Sequence, residues 1–302
     1  MNNYLIVGSK GFIGKHLAGF LLKKGLAVWG ADVVVDYEAG DHYFLIDASN
    51  ADFHAVFKEQ SFHVCINCSG AASVPDSLKN PMRDFQLNTA NVFKLLDAIR
   101  IYQPRCRFIN LSSAAVYGNP LSLPINESVH LDPVSPYGFH KEMSEQICLE
   151  FHRLFQLNTC SLRIFSAFGE GLKKQLFWDL FLKAKKKKPI ELFGTGRESR
   201  DFIYIRDLCR AIYFVSLHGD FNAQCINVAN GREVTIEESV SVFYGLFDYP
   251  VEYQFSGQTR AGDPINWVAD IGILRKLGYE AQYSLVEGLT NYYQWACEED
   301  SK

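Results

Sequence analysis

Tyr4-Leu5-Ile6-Val7-Gly8-Ser9-Lys10-Gly11-Phe12-Ile13-Gly14 opens with an apolar run, passes through a turn with Gly at every third position, and enters a new apolar pattern. Tyr4–Val7 reads as a buried strand. Phe12–Lys24 reads as a helix with Ile13, Leu17, Phe20 and Leu21 on its inner face. A glycine-rich turn at such a junction lets the backbone approach a pyrophosphate, whose charge the helix N-terminus stabilises. Glycines also serve ordinary turns, so the place between strand and helix gives this motif its weight. Gly8, Gly11, Phe12, Ile13 and Gly14 are therefore candidate cofactor contacts.

The same alternation continues outward. Strands are expected at Ala27–Ala31, Tyr43–Ile46, Val64–Asn67, Arg107–Leu111 and Thr159–Ile164, with helices over Asp84–Arg100 and Gly138–Phe155. Short apolar strands separated by helices predict an α/β fold with a Rossmann-like doubly wound parallel sheet. After Phe165 the alternation fades, returning at Asp201–Leu217 and Cys225–Val228. The expectation is a cofactor-binding domain over residues 1–165, with returns at about 201–230, and a smaller, interleaved C-terminal substrate-binding lobe over residues 166–302.

Composition narrows the function classes. The chain has 302 residues, 48% of them hydrophobic and 14% aromatic, enough for a substantial core and against general disorder. A net charge of −4 argues against a nucleic-acid binder. No apolar run reaches the roughly 20 residues that cross a bilayer, and the N-terminus has no signal-peptide pattern, so a cytoplasmic protein is expected. The eight cysteines lack disulfide-framework spacing. Cys65 and Cys68 lie three apart along a strand, on opposite faces, so no shared metal is expected. The run Lys185-Lys186-Lys187-Lys188 reads as a solvated helix end.

Asp32 ends the second strand, where a carboxylate accepts hydrogen bonds from ribose hydroxyls and repels a 2′-phosphate. NAD is thereby favoured over NADP, although a turn aspartate would look the same. Asp47 and Ala48, just past the third strand, are candidates for the adenine edge. Ser69, Gly70 and Ala71 follow the fourth strand as small residues beside a cofactor.

Tyr137-Gly138-Phe139-His140-Lys141 places Tyr and Lys on one helix face. A nearby ammonium would lower the phenol from about 10 toward working pH and fit Tyr137 as a general acid or base. The spacing is common by chance. Asn110-Leu111-Ser112-Ser113-Ala114-Ala115-Val116-Tyr117-Gly118 adds hydroxyls at the C-terminal end of a strand, the ligand-binding edge of such sheets. Ser113 is the candidate to orient a substrate oxygen toward Tyr137, with helix capping the plainer alternative. His140 is read as structural.

These segments resemble the extended short-chain dehydrogenases/reductases, in the NAD-dependent nucleotide-sugar epimerase/dehydratase branch that includes UDP-glucose 4-epimerase-like proteins. The resemblance runs through Ser135-Pro136-Tyr137, Gly194-Thr195-Gly196-Arg197-Glu198-Ser199-Arg200-Asp201-Phe202, Asn227-Val228-Ala229-Asn230-Gly231 and Arg260-Ala261-Gly262-Asp263-Pro264. It implies Ser113, Tyr137 and Lys141 as catalytic residues and Arg200 and Arg260 as grips on a nucleotide diphosphate, a role that suits guanidinium forks. It also implies Asn88 as a support of the site and a homodimer built through the two long helices. Ser77, Ser112, Ser113, Ser166, Arg200, Arg260 and Asp263 are the candidate substrate contacts.

Two departures shape the expected reaction. Ala114 and Ala115 stand where the 4,6-dehydratases carry an Asp-Glu pair, so dehydration is not expected. Ser166 stands where many relatives have Asn. The leading expectation is an NAD-dependent nucleotide-sugar 4-epimerase working through a transient 4-keto sugar. An NAD(P)H-dependent 4-keto-6-deoxysugar reductase is the alternative, followed by a non-catalytic dinucleotide-binding protein.

Overall fold

The computed structural model describes residues 3–38, 40–186, 188–258 and 265–302. Its first half runs β1 (Asn3–Val7), α1 (Phe12–Lys23), β2 (Ala27–Asp32), β3 (Tyr43–Leu45), α2 (His54–Glu59), β4 (Val64–Asn67), α3 (Val74–Lys79), α4 (Pro81–Phe85), α5 (Asn91–Tyr102), β5 (Arg107–Ser113), α6 (Pro136–Phe155) and β6 (Thr159–Ile164). The second half runs β7 (Ser166–Phe168), α7 (Gln175–Ala184), β8 (Ile190–Leu192), β9 (Ser199–Arg200), β10 (Phe202–Tyr204), α8 (Ile205–His218), β11 (Asn222–Val228), β12 (Val234–Thr235), α9 (Ile236–Tyr244), β13 (Tyr253–Phe255), α10 (Gly272–Lys276) and α11 (Leu285–Asp300).

Seven parallel strands form one sheet in the order β11-β6-β5-β4-β1-β2-β3. The chain winds outward in one direction through β1, β2 and β3, then in the other through β4, β5 and β6. The reversal at β1 and β4 opens a crevice at the strands' C-terminal ends. This is the Rossmann-like doubly wound sheet that the alternation predicts.

Strand periodicity divides the core into two layers. Tyr4 and Ile6 of β1 join Leu17 and Leu21 of α1 and Leu208, Ile212 and Val215 of α8. Leu5 and Val7 join Phe57 of α2, Leu95 and Leu96 of α5, and Phe151 of α6. Each such side chain contributes about 1.5–3 kcal/mol on burial. Cys65 belongs to the second layer and Cys68 packs against the first, the opposite facing expected of that pair.

The long helix expected over Asp84–Arg100 is interrupted. α4 ends at Phe85, a π-helical turn spans Gln86–Ala90, and α5 begins at Asn91. Such a turn inserts an extra residue into the helix, often at functional sites, and here it leaves Asp84 and Asn88 buried. α6 starts two residues earlier than the Gly138 expected from sequence. Pro136 occupies its first turn, and the Ser135 hydroxyl accepts from the Gly138 N–H at 3.2 Å.

Beyond β6, three two-stranded pairs and an aromatic cluster that includes Phe177, Phe243 and Tyr292 make up the C-terminal region. α8 and β11 rejoin the large sheet. Lys185, past the end of α7, pairs with Asp300 of α11. No described helix is long and apolar enough to cross a membrane.

Asp201 ties the two regions together. Its fully buried carboxylate accepts from the N–H groups of Asn230 (2.8 Å), Gly231 (3.0 Å) and Ala269 (3.1 Å). Burial pushes its pKa up to about 6, against the pull of those donors. Asp201→Asn turns an amide N–H toward backbone donors, so a loss of about 2–3 kcal/mol in unfolding free energy is expected from denaturant titration.

Candidate active site

The turn after β1 is shaped by its glycines. Gly8 has φ +80°, and a Cβ there would lie 2.6 Å from the Ser69 nitrogen. The turn therefore packs directly on the segment that follows β4, bringing Ser69, Gly70 and Ala71 beside it. No side chain caps α1 at Gly11, and no acidic residue lies in its first turn. The amides of Phe12, Ile13 and Gly14 thus begin a helix whose N-terminal charge suits a pyrophosphate.

Asp32 lies at the end of β2 beside this turn. One carboxylate oxygen accepts from the Lys10 N–H at 2.8 Å, the other from Val33 N–H at 2.7 Å. Lys10 in turn pairs with Asp36 and lies over the Tyr43 ring. Asp32 therefore fastens the glycine turn to β2; Oδ1 also accepts from the Val34 N–H at 3.3 Å, and Oδ2, with the single Lys10 bond, keeps a lone pair for a ribose hydroxyl. Asp47 is spent differently. Its Oδ1 accepts from Ser49 N, Ser49 Oγ and Asn50 N, so the carboxylate closes a local turn beside exposed Ala48.

At the C-terminal end of β5 the three residues expected to act together do meet. The Ser113 hydroxyl lies near enough to the Tyr137 phenol to favour its ionised form, and its oxygen accepts from the Ala115 N–H at 3.2 Å. Lys141, 5% exposed, donates from Nζ to the Leu111 carbonyl at 2.9 Å, with Nζ 5.9 Å from the Tyr137 ring centroid. A Cβ on Gly70 would lie 2.4 Å from Asn88 Oδ1 and 3.5 Å from Lys141 Nζ, which measures how closely these groups gather. Asn88 is 1% exposed, and neither its Oδ1 nor its Nδ2 has a partner among the described residues. A buried amide without partners is costly, so this orphaned side chain is an observation that fits a polar ligand.

One expectation needs correction. The ammonium does not bring Tyr137 toward neutrality in this protein as it stands. Burial pushes the phenol up to about 12, Ser113 opposes this, and Asp84 adds to it. Burial likewise pulls Lys141 down to about 8, against the charges of Asp84, Glu145 and Cys68. Desolvation is the largest influence on each of the two groups.

Ser77 and Ser112 turn their hydroxyls to partners within the protein. Ser77, 1% exposed, donates to the Val74 carbonyl at 2.7 Å and accepts from Tyr137 N–H at 3.2 Å, anchoring the start of α6. Ser112 points opposite to Ser113, as adjacent strand residues must, and donates to Glu145 Oε1 at 2.5 Å. Ser166 is half-buried in β7, beside β10. Arg200 donates to the Ser199 and Ile265 carbonyls and lies over the Trp267 ring. Arg260 and Asp263 lie outside the described residues.

The sequence reading missed Glu145 and Arg163. The carboxylate accepts from Arg163 Nε at 3.0 Å and Nη2 at 2.7 Å, and both side chains are buried. Arg163 also donates to the Tyr117 hydroxyl, which donates to Asn227 Oδ1. Glu145 follows Lys141 by one helical turn, a spacing that could have revealed it. A separate cavity of about 740 Å³ opens at the other end of the strands, lined by Tyr4, His63 and Arg107 among others. It contains none of the candidate site residues.

A doubly wound sheet with a glycine turn at β1 and a Ser/Tyr/Lys set at β5 defines a dinucleotide-dependent enzyme of the short-chain dehydrogenase/reductase type. The match over residues 4–229 is specific, and the chain belongs to the NAD dependent epimerase/dehydratase family. NAD is its cofactor.

Among its relatives is a UDP-glucuronate 4-epimerase of Thermodesulfobacterium geofontis, 27% identical over 99% of this chain and 97% of the relative. A putative UDP-glucose 4-epimerase of Methanocaldococcus jannaschii is 25% identical, with 96% and 97% covered. The fold is similar to that of the Bacillus cereus UDP-glucuronic acid 4-epimerase, solved with UDP-glucuronic acid and NAD, at a TM-score of 0.88 and 26% identity over 98% of this chain and 99% of that one.

Asp32→Ala is expected to weaken NAD retention roughly tenfold or more, the worth of one charge-assisted hydrogen bond. NAD released on denaturation of purified protein measures this, and the preference over NADP should narrow in parallel.

Proposed function

We propose that this protein is a nucleotide-sugar 4-epimerase, with Tyr137 moving the proton of the sugar's 4-hydroxyl. The observation that carries the reading is the meeting of Ser113, Tyr137 and Lys141 at the C-terminal end of β5, one strand away from the crevice. When bound, NAD supplies the hydride acceptor and donor, and its oxidised ring carries a positive charge. Gly8, Gly11, Phe12, Ile13, Gly14 and Asp32 would hold it at one end, and Ser69, Gly70, Ala71, Asn88, Tyr137 and Lys141 near the reacting end. Residues 1–165, with α8 and β11, would form the cofactor side; the rest of 166–302 would close over the sugar nucleotide.

Ser113 orients the 4-oxygen toward Tyr137, which takes its proton as the C4 alcohol becomes a ketone. Lys141, held on the Leu111 carbonyl, supplies positive charge beside the phenol and favours the phenolate. Tyr137 then returns the proton after the 4-keto sugar presents its other face. Arg200 and Arg260 are proposed to grip the diphosphate. Ala114 and Ala115 offer no carboxyl group for elimination of water, which supports epimerisation over dehydration.

The test is incubation with UDP-glucuronate, UDP-glucose and UDP-N-acetylglucosamine, with products separated by chromatography. The 4-epimer should form without consumption of added NADH. Steady NADH oxidation with a 4-keto-6-deoxysugar nucleotide, and no epimer, would overturn the reading in favour of a reductase. Tyr137→Phe should lower kcat by roughly a hundred- to ten-thousand-fold.

We also propose a homodimer. Met82, Phe85, Phe93, Phe139, Met143 and Phe155 leave an exposed apolar surface on α4, α5 and α6, which a second copy would cover isologously. Light scattering should report a dimer, and Phe139→Glu with Met143→Glu should give a folded monomer.

A further inference from the structure

Asp84 is a buried charge that the reaction outlined above does not use. It is 2% exposed, on α4, one turn before Asn88. Its Oδ1 lies 2.6 Å from His140 Nδ1, while Oδ2 is buried without a partner among the described residues. His140 stands between Tyr137 and Lys141 in the first turns of α6, so this contact brings a carboxylate to the reacting pair from the neighbouring helix. Thr89, in the π turn, fixes the same point by donating to the His140 carbonyl at 3.0 Å. A buried carboxylate that keeps one oxygen unpaired is expensive to hold ionised, which calls for a role.

We propose that Asp84 is the resident counter-charge of the Tyr137–Lys141 pair and that His140 is the positioning residue that holds it there. The inference rests on the assignment of Tyr137 and Lys141 as the reacting pair. Asp84 is first among the charges that oppose the loss of Lys141's proton, ahead of Glu145 on α6 and Cys68 after β4. The same carboxylate disfavours the Tyr137 phenolate. Together these effects keep the resting site as phenol and ammonium, so that a positive charge arriving in the site releases the Tyr137 proton. Of the other charged groups on the packed elements, Arg163 on β6 is buried and paired with Glu145, Asp97 and Arg100 on α5 pair with each other, Asp76 and Lys79 on α3 and Arg83 on α4 are exposed, Glu142 on α6 is half-buried, and Lys94 on α5 bonds Asn50 and Ala51. His140 acts through Asp84 by donating to it. Loss of that donor leaves the buried carboxylate with nothing among the described residues to hold it in place.

The test is the pH titration of Tyr137 in the NAD-loaded protein without sugar. It is read as tyrosinate absorbance near 295 nm after subtraction of the matching Tyr137→Phe protein. Asp84→Asn should move the midpoint toward acid by about one pH unit, and Asp84→Glu should restore it. His140→Leu should follow Asp84→Asn, whereas His140→Gln, which keeps an N–H donor, should stay near the wild type. A midpoint unmoved in both Asp84→Asn and His140→Leu, with circular dichroism and NAD content preserved, would overturn the proposal. If Asp84→Asn does not fold, the contrast between His140→Leu and His140→Gln decides alone. Because no sugar is present, failure of the epimerase assay leaves this readout standing, and the reverse also holds.

Discussion

The buried pair between Glu145 and Arg163 is the constraint on which the site depends. Two parallel N–H groups of the guanidinium meet one carboxylate, and neither side chain reaches solvent to any extent. Removing one partner of such a pair strands a charge in the core, at about 3–5 kcal/mol. That penalty fixes α6 against β6, and the Ser112 hydroxyl on the same carboxylate adds β5. With these elements locked, Lys141 one turn earlier can reach only the end of β5, where it finds the Leu111 carbonyl.

Polar groups on the two faces of β5 divide the work. Ser112 looks inward to the ion pair and Ser113 looks out to the phenol, a consequence of strand alternation alone. The Tyr117 hydroxyl extends the inner network to Asn227 on β11, and Asn227 bonds the carbonyls of Ile125 and Asp270. Asp201 makes a second connection of this kind with three backbone donors. The C-terminal region is thus fastened to the sheet by buried polar contacts as well as by its aromatic core, a choice that favours one arrangement over others.

Much of the fold was legible because its signals are local. Alternating strand and helix runs, with Gly8, Gly11 and Gly14 at the first junction, need only neighbours along the chain to be read. The helix over Asp84–Arg100 was read, but its π turn was not, because a π turn leaves no mark in apolar periodicity; the pattern of Asp84–Arg100 looks continuous. The partners of Ser77 and Ser112 were not legible for another reason. A serine beside a site looks the same whether its hydroxyl turns toward a ligand or into the protein, and only partners such as Glu145 decide. His140 read as structural, correctly as far as its helix face goes, while its bond to Asp84 depends on an element far away in sequence.

The sequence by itself determined the doubly wound sheet, the glycine turn at its first junction and the placing of Tyr137 and Lys141 on one helix face, since spacing along strands and helices is a property of the chain. Tertiary structure alone decided the electrostatics. Burial weighs most on both Tyr137 and Lys141, raising the phenol and lowering the ammonium, and Asp84, Glu145 and Cys68 enter the balance from three different elements. Desolvation depends on everything packed around a group, and no pattern of neighbours along the chain contains it.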